Sequence, residues 1–172
     1  QAIDALQKFM GFVQSVPVLN QNTRWALVNI SATMEVPVYK VLSDFVDSAT
    51  MQQRLASFGF TSVFNEAGLD SVYATCARQL PLTWDPAALT GALLFTDEWA
   101  QSYTVPLTTQ QMVTQACLGS ATVPFIWSFN SQVLEDIALD ANGAAFDIRQ
   151  SGATASSDQI YQELFATMPG VC

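Results

Sequence analysis

The sequence predicts an all-α fold: one domain over residues 1–172, a compact bundle of about seven to nine short helices with an irregular or β-like segment near residues 143–156. Three observations predict it. Apolar residues recur at the i, i+3, i+4, i+7 spacing of a buried helix face. Proline, asparagine and glycine stand where such segments would begin and end. Apolar residues make up 50% of the chain and charged residues 12%, enough for a packed core and too hydrophobic for disorder.

Taken in order, AIDALQKFMGFVQSV places Ile3, Leu6, Phe9, Met10 and Val13 on one face. Asn22 or Thr23 is placed to cap a second helix through RWALVNISATM, and Pro37 to open a third, VYKVLSDFVDS, with Val38, Leu42 and Phe45 inward. TMQQRLASFG ends at Gly59, a suitable left-handed terminus, and FNEAGLDSVYATCARQL resumes the helical period. The clearest signal is DPAALTGALLFTDEWAQSY, capped by Asp85 with Pro86 in the first turn, where Ala88, Ala92, Phe95, Trp99 and Tyr103 align. LTTQQMVTQACLG and NSQVLEDIALDANG give two more helices, ended by Gly119 and Gly143, and SSDQIYQELFATMPG a last one, ended by Pro169. GAAFDIRQSGATASS reads as a turn, a short β-compatible run and a flexible loop. Val-Pro recurs before helix-like segments at irregular intervals, which is punctuation and not a repeat.

Charge excludes several functions. The net charge is −9, and the six bases Lys8, Arg24, Lys40, Arg54, Arg78 and Arg149 are scattered singly, so no cluster exists to neutralise nucleic-acid phosphates or an anionic membrane surface. The charge-free stretch Trp99 to Leu134 is interrupted by QSYT, LTTQQ and GS, which argues against membrane insertion. The chain has no histidine, the commonest general base and metal ligand, and no GxSxG, SxxK or phosphate-cradling loop. No metal and no cofactor are therefore expected, and no enzymatic activity either, the one enzyme class left open being a hydrolase that works with carboxylates alone. Little basic character and a start at Gln1 read as a processed, secreted chain.

Two carboxylate pairs have i, i+4 spacing, Glu66 with Asp70 and Asp136 with Asp140; small and polar neighbours predict solvated helix surface for both. Asp140, Asn142 and Gly143 match the middle of a calcium loop, but Ala138 and Arg149 occupy its first and twelfth positions, so a turn explains them. Asn29-Ile30-Ser31 is a glycosylation sequon within a predicted helix that is apolar nearly all round, where occupancy is not expected. Cys76, Cys117 and Cys172 form no CxxC motif. A Cys76–Cys117 disulfide would add roughly 3–4 kcal/mol in the chain-entropy model and leave Cys172 free or intermolecular, but pairings with Cys172 stay open.

What remains is aromatic. Phe95, Trp99 and Tyr103 form a predicted helix stripe, and Phe125, Trp127 and Phe129 alternate after Pro124, so a loop or short extended segment could aim them one way. The expectation is a secreted, acidic, helical protein binding a hydrophobic small molecule (lipid, sterol or pigment) in a pocket lined by these six residues. Core packing is the competing explanation of the same residues. The rival function is structural: a component of an extracellular fibre, glue, coat or foam that forms a homodimer or higher assembly, with Cys172 as the cross-link. FNEAGLDSVY is similar to helical segments of the insect gut allergen repeats, which enclose lipid; the likeness is confined to that segment, the repeat length does not recur, and no residue role follows from it.

Overall fold

The computed structural model describes residues 2–30, 39–57, 66–129 and 131–147. It contradicts the all-α expectation: within these residues six helices accompany two sheets. Helices α1 (Ala2–Ser15) and α2 (Pro17–Asn22) come first, then an antiparallel ribbon of β1 (Trp25–Ile30) and β2 (Tyr39–Val46), then α3 (Ser48–Ser57) and α4 (Gly68–Cys76). The rest is a βαβαβ unit: β3 (Thr90–Phe95), α5 (Gln110–Ser120), β4 (Thr122–Ser128), α6 (Gln132–Asp140) and β5 (Ala144–Asp147). Its strands are parallel in the order β3-β4-β5, with Phe95 beside Trp127 and Trp127 beside Phe146.

The correction has a physical cause at each place. RWALVNISATM becomes β1 where it is described, and VYKVLSDFVDS becomes β2, both rich in the β-branched and aromatic residues that fit a pleated surface. The apparent helix DPAALTGALLFTDEWAQSY is β3 followed by a loop. A parallel strand covered on both faces is a continuous apolar run, and such a run satisfies the helical template by accident. AIDALQKFMGFVQSV, TMQQRLASFG, LTTQQMVTQACLG and NSQVLEDIALDANG do contain helices α1, α3, α5 and α6. Gly59, Pro169 and the helix placed before Pro169, the loop after residue 147 and Cys172 lie outside the described residues.

Both faces of the parallel sheet are covered. Leu94, Ile126 and Ala145 face α4, α5 and α6, where they meet Leu69, Val72, Cys76, Val113, Cys117, Leu134, Ile137 and Ala138. The alternate residues Leu93, Phe95, Phe125, Trp127, Ala144 and Phe146 face the opposite way, onto Leu6, Phe12 and Val13 of α1, Leu19 of α2 and Trp25 of β1. Two like-handed crossovers from neighbouring strands place α5 and α6 on one face, as observed. A Cys76–Cys117 disulfide, S–S 2.06 Å, ties α4 to α5.

Two residues show how closely β4 and β5 fit. A Cβ on Gly143 would lie 1.8 Å from the Pro124 carbonyl oxygen, so only glycine allows α6 to turn into β5 here. The preceding Asn142 takes φ 60°, which asparagine tolerates. Pro124 sits inside the central strand, where the missing N–H would normally break a ladder. Its carbonyl points toward Gly143, and the N of a strand residue points to the same side. That side lies before the first β5 pair, Phe125 with Ala144, so no ladder bond is lost.

Candidate functional site

In parallel sheets the connections leaving the C-terminal strand ends are the usual carriers of function. Here the two connections differ. The β4–α6 link is residues 129–131, whereas the β3–α5 link is residues 96–109, far beyond the roughly two to six residues usual for such a loop. The sequential strand order creates no crevice between diverging connections, so this rim is a surface.

The long loop is locked down by one carboxylate. Asp70 stands in the first turn of α4 and is only 2% exposed. Its Oδ1 accepts hydrogen bonds from the hydroxyls of Ser102 (2.7 Å) and Thr104 (2.9 Å), and its Oδ2 accepts from the Tyr103 N–H (2.6 Å). Ser102 Oγ in turn accepts from the Thr108 N–H at 2.8 Å, and the Thr104 and Thr108 hydroxyls lie 3.1 Å apart. The Leu69 N–H donates to the Gln101 carbonyl at 3.0 Å. Burial pushes the Asp70 pKa up, but the hydrogen bonds from Thr108, Tyr103, Ser102 and Thr104 outweigh it and hold the carboxyl below its ordinary value. Asp70 is an ionised latch at neutral pH, with hydrogen bonds to both of its oxygens.

Glu66, four residues earlier, is shifted the opposite way. Burial raises its pKa first, and the nearby charges of Asp97 and Glu98 raise it further, against one hydrogen bond from the Thr96 hydroxyl at 2.8 Å. Thr96 is itself held by its N–H to the Trp127 carbonyl (2.9 Å), and its Oγ1 accepts from the Glu98 N–H (3.1 Å). The expectation of two solvated carboxylates on one helix face is therefore corrected: Glu66 precedes α4, Asp70 is buried, and each binds a different part of the β3–α5 loop. Asp136 accepts from the Gln132 side chain at 2.7 Å at the surface of α6.

The latched loop exposes apolar side chains. Val105 is 98% exposed, Trp99 67% and Leu107 63%, with a cis peptide between Val105 and Pro106. Of the six aromatic residues singled out from the sequence, the structure gathers Phe95, Phe125 and Trp127 on one face of the sheet. Phe95 stacks on Trp127 at 4.5 Å and 14°, and Trp127 stacks on Phe146 at 4.5 Å and 10°. Phe125 and Trp127 are fully buried on this face, and Trp127 Nε1 has no hydrogen-bond partner. Trp99 and Tyr103 do not continue a helix stripe with Phe95; both lie on the loop. The Tyr103 hydroxyl bonds Gln101, and Phe129 leaves the end of β4 partly exposed.

Sequence reasoning missed Asp70, Ser102, Thr104 and Thr108 as a unit, although the hydroxyl-rich run SYTVPLTT was a signal. Asn29 proves to be an exposed strand residue and not part of an apolar helix. Among the described residues no group of three or more cysteine and carboxylate side chains is placed to hold a metal, and no helix is long and apolar enough to cross a membrane. The chain matches no protein-family model and no curated protein.

Proposed function

We propose that this chain is a secreted recognition protein that binds a hydrophobic small molecule (a lipid, sterol or pigment) on the rim of its parallel sheet. Trp99, Val105 and Leu107 form the contact surface, and Phe129 leaves the same rim. One observation carries the reading: a buried carboxylate and three hydroxyl residues are spent on fixing a long loop that exposes apolar side chains. A loop ordered in advance loses less entropy on binding, which is the physical use of such a latch. Phe95, Phe125 and Trp127, on one face of the sheet, support the rim from below. The Cys76–Cys117 disulfide is compatible with an oxidising compartment.

A second reading, self-association, is favoured by a different observation. Val18 on α2, Leu118 on α5 and Leu139 on α6 are also exposed, away from the loop. The experiment that separates the two is lipid extraction and mass analysis of protein isolated from its natural source, followed by rebinding of the extracted compound to a Trp99→Ala variant. Loss of rebinding by a folded, monomeric variant supports the rim. Unchanged rebinding, or a ligand-free dimer, removes it.

A further inference from the structure

At the opposite end of α4 and α5 lies an open depression of about 510 Å³, lined by Cys76, Ala77, Arg78, Pro86, Ala116, Gly119 and Ser120. Its backbone has one uncommon feature. Helix α4 ends in the paired bonds of a Schellman turn, Gln79 N–H to Ala74 O at 2.8 Å and Arg78 N–H to Thr75 O at 3.1 Å. The left-handed position of that turn is normally glycine or asparagine, yet here it is Arg78, with φ 53°. Ala121 at the end of α5 holds the same conformation, so what singles out Arg78 is its side chain and not its backbone.

The arginine is held in place but not satisfied. Its guanidinium carbon lies 5.7 Å from the Trp84 ring centroid, and Trp84 is fixed by its Nε1–H to the Leu80 carbonyl at 3.1 Å. One terminal nitrogen reaches the Ser120 carbonyl at 3.5 Å, and Nε is buried without a hydrogen-bond partner. Among the described residues no carboxylate pairs with it, although the protein has 15 acidic residues and 6 basic ones. A guanidinium offers five N–H donors in a planar fork, and the Ser120 carbonyl is the one hydrogen-bond acceptor that the described residues offer it. The remaining walls are small residues that present polar and apolar surface in similar measure, and the disulfide between α4 and α5 fixes their separation.

We infer that this depression binds a small organic monocarboxylate, its carboxylate taken by Arg78. A single negative charge fits better than a phosphate dianion, because α4 and α5 both present their carbonyl ends here and the whole chain is acidic. The site is separate from the rim loop, and either stands without the other.

The test is heteronuclear NMR of the whole chain titrated with benzoate, hexanoate and acetate, with benzamide and inorganic phosphate as controls. Arg78→Asn and Arg78→Gly are the variants, since both residues accept the left-handed backbone and keep the turn folded. At least one carboxylate is expected to give saturable shifts at the Ala77, Gly119 and Ser120 amides. Loss of the charge-assisted pair is expected to weaken binding about tenfold or more for benzamide and in both variants. Equal binding of benzoate and benzamide, unchanged binding in the variants, preference for phosphate, or no saturable shift with any of the three carboxylates would overturn the proposal and leave Arg78 as a cap on the end of α5.

Discussion

The stacked rings of Phe95, Trp127 and Phe146 and the exposed part of the 96–109 loop are built from similar residues and have opposite fates. The ladder residues occur on adjacent parallel strands in matched register, so strand pairing alone stacks the rings, and α1 closes over them. Trp99, Val105 and Leu107 follow the end of β3, where no strand or helix fixes them, and buried hydrogen bonds to Asp70 take over that task. The first set is ordered by apolar burial and the second by a buried charge. Aromatic content therefore does not identify a binding surface; what distinguishes the rim is polar machinery holding apolar residues in water.

This contrast can be broken from either side. Trp127→Ala is expected to produce the largest effect, a loss of about 3–5 kcal/mol in denaturant unfolding, because it empties the middle of a closed ladder. Asp70→Asn comes next, at about 2 kcal/mol, since it leaves the Ser102, Tyr103 and Thr104 donors without their charged acceptor. Its specific signature is faster hydrogen exchange at the Tyr103 and Thr108 amides, with the ladder strands still protected.

The two carboxyls should also separate by pH. Asp70 has a lowered folded pKa, so its contribution is present at neutral pH and is lost as pH falls through that lowered value, beneath the ordinary carboxylate range. Asp70→Asn should flatten this acid limb. Glu66 has a raised folded pKa, so stability should decline as pH rises from its ordinary value through the raised one, and Glu66→Gln should abolish that decline. Both are read from denaturant midpoints across pH. Smallest of all, Trp99→Ala should change stability by no more than about 0.5 kcal/mol, because the ring is mostly in solvent.

How much of this was legible in the sequence follows from the same physics. Helices α3, α5 and α6 show their period because one face meets the core and the other meets water. Strands β3 and β4 have apolar contacts on both faces: Leu94 and Ile126 are buried on one side, Trp127 is buried and Leu93 partly buried on the other, so alternation vanishes and TGALLF resembles a helix. Strand β2 hides its period for another reason, an irregular register with β1 between Trp25 and Val28. The alternation of Phe125 with Trp127 was readable because Pro124 and Ile126 broke the helical pattern around it. Asp70 was not readable, since its partners lie more than thirty residues away and nothing local to DSVYATC requires burial.

The central claim, that the latched rim captures a hydrophobic molecule, is tested most directly by native mass spectrometry of protein purified from its natural source without reductant. The account predicts a monomer carrying a discrete extra mass that leaves on organic extraction, returns to the wild-type chain, and does not return to Trp99→Ala. A ligand-free protein, or an adduct that Trp99→Ala retains as well as the wild type does, would contradict it.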